Sequence, residues 1–530
     1  MAFGIAALLF ALAVVTSAAP AGATGRRPEP PRAEVDTRMP AVTGTVHRVP
    51  AGGDLRKALA AAAPGDVIQL EAGATYTGPV ELPAKSGTGW IVVRGSAHDR
   101  LPSPGTRVRP PDAARMPKIV APRGESAIVT ASGAHHFRFV GIEIAPVRGA
   151  FVHNLIALGR EETSADRLPH HIVFDRCVIR GDPDRGARRG VAMNSAFTAV
   201  VDSHLADFKE ADADSQAIGG WNGAGPFAIV NNYLEAAGEN VMFGGADATV
   251  PGLTPSDIVV RGNHLAKPVA WRGRPWSVKN LFELKHARRV LVEGNLFEHN
   301  WPQAQNGFSI LFTVRNQDGK NPWATVEDVR FVHNVVRHVA AGINILGKDD
   351  NHPSQEAKRI LIEHNVFYDV GTTPWGGNGA LVQILGTTQH VIVQRNTALQ
   401  TGAIVFAEGD GHRGFEFRDN VALANDLGIA GTGTGPGRRT LERYFPAAVV
   451  TGNVIVGASS TDYPAGNQFP GSVKAVGFVD PARGRFRLAA KSPYRGRNGA
   501  PGADFDALAA AVLRGAPGAD LSALFAAGER

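Results

Sequence analysis

The sequence holds a single cysteine among 530 residues, so no intrachain disulfide can brace it. That residue, Cys177, lies in the run Ile172-Val173-Phe174-Asp175-Arg176-Cys177. Among such β-formers it reads as a small buried hydrophobe, not a nucleophile. After residue 23 no stretch approaches ~18 uninterrupted apolar residues, so no membrane insertion is expected. Runs of Lys and Arg with interleaved aromatics are missing too, as is any nucleic-acid-binding motif, so nucleic acid is not an expected partner. Nor does any segment repeat a helix-length amphipathic pattern, which excludes ankyrin, tetratricopeptide and leucine-rich architectures.

What is present begins with an apolar core from Phe3 to Val15, followed by Ala21-Gly22-Ala23 as a small-residue cleavage site. Residues 1–23 therefore read as an export signal, irregular in having no Lys or Arg before its core, and a periplasmic or secreted location is expected. The formal charge is +6 and the pI near 9.5, a surface that concentrates anionic partners. For an exported protein, an acidic glycan fits that charge.

Residues 24–43, rich in Pro and Arg, read as a linker. A short helix follows over Asp54 to Ala62, with Asp at its start and Pro64 just beyond, placed to close the open end of a stack of strands. From there the chain repeats itself. Short β-forming runs end in Asn at Asn232, Asn263, Asn295, Asn334, Asn365, Asn396, Asn420 and Asn453, spaced 31, 32, 39, 31, 31, 24 and 33 residues apart. Degenerate copies end at Gly141, Cys177 and Ser203. A coil of about 24 residues with three short strands, its extra residues extruded as loops on one face, fits this period. The recurrent Asn is expected to adopt the left-handed backbone of a bend and to bond to the Asn one coil above.

In these repeats the chain resembles the pectate-lyase-like family of right-handed parallel β-helices. The resemblance covers roughly residues 44–500 and implies an all-β, single-stranded, right-handed solenoid with short N- and C-terminal capping helices. Arg485 to Leu488 is similar to the last coil of such proteins. The Ala-rich stretches Phe505 to Leu513 and Leu521 to Ala527, in a tail from 501 to 530, are the expected C-terminal cap. A shared scaffold does not specify a reaction, since lyases, hydrolases, epimerases and adhesins all use it.

Between the Asn-tipped strands runs a second family of β segments. They are Val241 to Phe243, Leu281 to Lys285, Ile310 to Arg315, Ile343 to Leu346, Leu381 to Leu385 and Ile404 to Phe406. Alternation places Phe282 and Leu284 inward and Glu283 and Lys285 outward. The same rule predicts one exterior column of Asn240, Glu283, Thr313, Asn344 and Gln383. A second column beside it holds Met242, Lys285, Arg315, Leu346 and Leu385. Long loops on both sides carry Trp271, Trp276, Trp301, Trp323 and Trp375, five of the seven Trp in the chain. In such loops Trp271, Trp276, Trp301 and Trp375 are candidates for stacking on sugar rings, with Asn344 and Gln383 as polar contacts.

Lys285 beside Arg315 suggests β-elimination of a uronic-acid polymer. A lysine serves as base where burial and neighbouring positive charge favour its neutral form, and an arginine neutralises the carboxylate or assists the leaving oxygen. Glu283, with Asn240 or Glu239, supplies oxygen ligands of the kind Ca²⁺ requires. No organic cofactor and no partner chain is implied, and a monomer is expected. The arrangement resembles the chondroitinase B and alginate lyase family, with Lys285 as the implied base and Arg315 one coil on. It departs from that pattern in having Glu283 only two residues before the lysine, and His286 after it. A second reading is hydrolysis by Asp349 and Asp350 with His412, which is only partly similar to the polygalacturonase family. A uronate epimerase and a non-catalytic glycan-binding protein are further alternatives.

Overall fold

The computed structural model describes residues 26–495, 500–522 and 524. The expected export signal lies outside these residues, as does most of the Leu521 to Ala527 segment. The chain winds into a solenoid whose three walls are parallel sheets of 15, 12 and 13 strands. In each wall a strand pairs with its counterparts on the coils before and after it. The Asn-tipped strands make the first sheet. The second family of β segments makes another, here called the groove sheet. Strands just after each Asn, such as Tyr233–Ala236 and Leu296–Asn300, make the third. One continuous core of Val, Ile, Leu and Phe runs down the axis. It includes Phe139, Phe174, Phe282, Phe297, Phe312 and Phe331, contributed by all three walls.

The Asn repeat is a hydrogen-bonded ladder at the corner between the first and third sheets. Each carboxamide donates to the next Asn, from Asn232 through Asn263, Asn295, Asn334, Asn365, Asn396 and Asn420 to Asn453, at 3.0–3.1 Å per rung. Asn467 extends it by one rung at 2.8 Å. Each amide also donates to a backbone carbonyl, as Asn334 does to Val292 at 3.0 Å. These side chains thus satisfy corner backbone groups that no strand can reach. The left-handed residue is the one before the ladder Asn, not the Asn itself. Asn231, Gly262, Gly294, His333, His364, Arg395, Asp419 and Gly452 all have φ between 52° and 71°. Ser203 and Cys177 occupy the same corner in earlier coils, where the backbone N–H of Cys177 donates to Ser203 Oγ at 3.0 Å. One coil earlier the left-handed residue is Gly141, leaving Ile142 at the ladder position.

The N-terminal helix, Leu55–Ala61, begins at Asp54, whose carboxylate accepts from Lys57 N–H at 3.0 Å. It buries Leu55 and Leu59 on the first coil and so covers the apolar end of the stack. The C-terminal elements differ from expectation. Arg485–Leu488 pairs antiparallel with Phe478–Asp480 and is not a coil. Phe486 folds back on Tyr368, with ring centroids 5.3 Å apart. The helix Phe505–Gly515 does not cap the end either. Leu508 and Val512 pack sideways against Val335, Val366 and Tyr368. A Cβ at Gly262 would come within 2.5 Å of Gly515, so this corner must be bare for the helix to seat.

Residues 26–43 are no free linker. They run along the outside of the first sheet, against the direction of coiling. Glu29 N–H donates to Asp328 at 3.0 Å, and Arg32 N–H to Asp257 at 2.8 Å. Further along, Val35 packs among Val173, Ala199 and Trp90. Arg138 then donates to the carbonyls of Thr37 and Arg38.

Candidate active site

The groove sheet contains Glu239–Phe243, Asn280–Leu284, Phe308–Thr313, Ala341–Leu346 and Val382–Leu385 as neighbouring strands. Phe282 and Leu284 are in the core and Glu283 faces away from it, as alternation predicts. The columns differ from the predicted register. Cα partners run Met242, Glu283, Leu311, Asn344, Gln383 and Phe406. Thr313 lies in the next column, level with Leu346 and Leu385. For Asn240 the cause is local: Leu281 and Phe282 both point into the core, so the strand turns a corner there, parity changes, and Asn240, level with Leu281, turns inward, whereas Thr313 keeps its parity and sits two residues along.

That corner decides which residues meet. Asn240 is fully buried behind the sheet, donating to the carbonyls of Leu234 and Ala266 at 2.7 and 2.8 Å. Its Oδ1 accepts from Lys267 Nζ at 3.1 Å. Asn240 is therefore a brace and not an exposed ligand. Lys267 sits in a cage of oxygens, donating also to the carbonyls of Ala236, Ala237, Gly238 and Asn280 at 2.8–2.9 Å. Burial pushes its ammonium down to about 7, against the pull of Glu239 and Glu235.

In place of Asn240, the outer row reads Gln216, Glu239 and Asn280, in register on three successive coils. Gln216 Nε2 donates to Glu239 Oε2 at 2.6 Å, and Asn280 Nδ2 to Glu283 Oε2 at 2.9 Å. This leaves Gln216 Oε1, Glu239 Oε1 and Asn280 Oδ1 buried with no hydrogen-bond partner among the described residues. Unpaired buried acceptors are costly unless a donor or cation completes them. Burial, and the negative charge of Asp214 and Glu283, raise the Glu239 carboxyl to about 7. Lys279 balances part of this charge, pairing with Asp214 and lying 3.7 Å from Glu239. Against the cost of its own burial, Glu239 and Asp214 hold Lys279 above its ordinary value. Sequence reasoning missed Asn280 and Gln216. Asn280 precedes Glu283 by three residues, a spacing that same-face alternation discards and that only a corner brings together.

Lys285 stands 3.7 Å from Glu283, with its side chain largely covered. Gly244 and Gly245 face it from the preceding coil, and a Cβ on Gly244 would come within 2.9 Å of Lys285 Cβ. On the following coil Arg315 N–H donates to the Lys285 carbonyl at 2.9 Å, so the two cationic residues are backbone neighbours. Thr313 Oγ1 donates to Glu283 Oε1 at 3.2 Å. His286 is a structural residue. It is buried, its Nδ1 accepts from Thr325 N–H, and its Nε2 bonds to the Leu253 carbonyl at 2.9 Å.

Asp349 and Asp350 do not form a carboxylate pair across an open bond. Both grip Arg315, at 2.8 and 2.7 Å to Nη1. Despite burial, the N–H groups of Asn351 and Asn316 and the charge of Arg315 hold Asp349 below its ordinary value. His412 lies on a first-sheet edge, in register with Thr388, which it meets at 3.1 Å. It is buried against Phe445, and burial pushes it down to about 4.

Four of the five loop tryptophans pack into one cluster, while Trp323 lies apart, its Nε1–H donating to the Leu253 carbonyl at 3.1 Å. Trp271, Trp276, Trp301 and Trp375 form one cluster with Ala237 and Val278. The Arg272 guanidinium lies 5.0 Å from the Trp301 ring and 4.5 Å from that of Trp375. Lys209 lies over Trp271 and Trp276. They stiffen the loops at the entry edge of the groove sheet, where Val278 N–H bonds to Gln303 and Asn280 to Gln305. Asn344 and Gln383 remain half-buried on the outer face, bonded to each other at 3.3 Å. Phe308, Leu311, Ala341, Ala380, Ala403 and Phe406 form an apolar strip beside them.

These walls and corners define a right-handed parallel β-helix, the scaffold of many proteins that handle polysaccharides. No known family model matches the sequence, and no curated protein does. Among solved structures, the PL6-family alginate lyase AlyGC aligns at a TM-score of 0.47 and 12% identity, over 86% of this chain and 58% of its own. The pectate lyase Pel9A aligns at 0.32 and 14%, over 85% of this chain and 91% of its own. A GH87 α-1,3-glucanase from Streptomyces thermodiastaticus aligns at 0.41 and 14%, over 85% and 71%. The likeness is one of fold, and this chain spans little more than half the length of AlyGC.

Proposed function

We propose that this protein is a polysaccharide lyase that cleaves a uronic-acid polymer by β-elimination in the groove. The observation that carries the reading is the juxtaposition of Lys285 and Arg315 on adjacent coils, next to a row of buried oxygens with unmet bonding capacity. Lys285 takes the proton from C5 of the uronate. Electrons from that C–H bond form the C4=C5 double bond as the C4–O bond breaks. The departing oxygen takes a proton from the Arg315 guanidinium, which regains one from solvent. The buried carboxylate of Asp349 and the exposed one of Asp350 both accept from Arg315 Nη1 and hold the guanidinium in place.

Gln216, Glu239, Asn280 and Glu283 would hold Ca²⁺, because all four offer oxygen and three of those oxygens accept no hydrogen bond among the described residues. When bound, the ion neutralises the substrate carboxylate and so favours loss of the neighbouring proton.

Alginate, pectate, chondroitin and glucuronan, offered separately to the purified protein, test this. At least one is expected to yield ultraviolet absorbance from the unsaturated uronate. K285A and R315A should each lower kcat by about 10² or more, the usual scale for a general acid or base, with thermal stability retained. New reducing ends without that absorbance would mean hydrolysis and would overturn the proposal.

A further inference from the structure

A second cluster, far along the chain from the groove residues, has no part in that chemistry. The first sheet carries two histidine pairs on successive coils, His135–His136 and His170–His171, in register. His136 and His171 have φ of 59° and 54°. A left-handed residue breaks strand alternation, so both members of each pair project outward. His135 stacks on His170 with centroids 4.8 Å apart, and His136 on His171 at 4.4 Å, each pair of rings nearly parallel. Within a coil the Nδ1 atoms face each other, at 2.8 Å in the first pair and 2.7 Å in the second. One proton fits between two such nitrogens, so one Nδ1 in each pair is a bare acceptor. Ring nitrogens of His136, His170 and His171 all lie within 4.8 Å of one another.

We propose that His136, His170 and His171, with His135 beside them, bind a divalent transition metal of the Cu²⁺, Ni²⁺ or Zn²⁺ type. Imidazole donors without a hard oxygen cage select these ions over Ca²⁺ and Mg²⁺, and Cu²⁺ should bind tightest. Metal ligation needs neutral imidazole. Burial and mutual repulsion lower His136 and His170 to about 4, so both are neutral at pH 7. Moving the shared proton from Nδ1 to Nε2 frees the donor with no net change in charge. Trp90 meets the His136 ring edge-on at 5.2 Å, which places a fluorophore at the site.

The test uses the full chain, purified without a histidine tag, stripped with EDTA and titrated with CuCl₂. Expected are one tight equivalent, an electron paramagnetic resonance spectrum with splitting from several nitrogens, and quenching that W90F largely removes. H136A/H171A, which removes two ligands, should bind at least ~100-fold more weakly, the upper range for losing a residue that merely orients a ligand. H333A/H364A, which removes another stacked pair, should bind like wild type. A wild-type spectrum with oxygen ligands only would overturn the proposal even if H136A/H171A fails to fold. So would a folded H136A/H171A that keeps its affinity.

Discussion

Glu239 and Lys267 are the two residues whose burial is least expected from their chemistry. Both are ionisable, both are fully buried, and they brace opposite sides of one corner of the groove sheet. Glu239 has its carboxyl raised from 4.5 to about 7 by burial and by the carboxylates of Asp214 and Glu283. A raised carboxyl stabilises the fold fully below its unfolded value and loses that contribution as pH climbs through the folded one. In EDTA, stability is therefore expected to fall between pH 4.5 and 7, by on the order of 3 kcal/mol from this group. E239Q should flatten the fall. Ca²⁺ added at pH 7.5 should raise the melting temperature more than at pH 5, since only ionised carboxylates attract it. Equal shifts at both pH values would remove Glu239 from the cation site. Lys267 satisfies four carbonyls and Asn240 at once. K267M takes a donor from all of these oxygens, of which only the Ala237 and Gly238 carbonyls are shown keeping a backbone N–H, and urea unfolding should show a loss of about 3–5 kcal/mol.

At the scale of elements, the corner ladder matters more than any one strand. Strands here are short, and most have only three to six residues to hold their register. Each ladder Asn fixes that register from the end, tying one coil's backbone N–H and carbonyl to the next coil's side chain. Asn334, for example, donates to Asn365 and Val292 and accepts from Asn295. N334A should cost about 2–4 kcal/mol, read by chemical denaturation, because it strands buried groups on both neighbours. N334S should cost less, since Ser203 already fills this position in an earlier coil. If both cost the same, the ladder's value would lie in packing and not in its hydrogen bonds.

Across the whole molecule, stability in a solenoid is close to a sum over neighbouring coils, with no contacts between distant ones. Several segments break that rule, among them the loop in which Arg107 reaches Asn231 and Gly262, and two others stand out. Residues 26–43 cross many coils on the first sheet, and the helix Phe505–Gly515 crosses the corners at Gly262 and Gly294. Asp257 and Asp328 pin the first of these while also pairing with Arg289 and Arg359. D257A/D328A should release it, so limited proteolysis is expected to cut within residues 26–43 at least tenfold faster. The coils themselves should stay resistant. An unchanged cleavage rate would show that Val35 and the Arg138 contacts suffice to hold it.

The sequence by itself determined the solenoid, because a β-run ending in Asn at a near-constant spacing admits few other packings. It also determined which residues face inward wherever strict alternation holds, as at Phe282, Glu283 and Leu284. The facing of Asn240 and Asn280 was decided only by tertiary structure, since two consecutive core residues at Leu281 and Phe282 turn the strand through a corner. The same is true of the tryptophans, whose loops fold onto one another, and of the paired histidines. Left-handed backbone at the second histidine of each pair, and the stacking of coils about 4.8 Å apart, bring into contact rings that lie 35 residues apart in the chain.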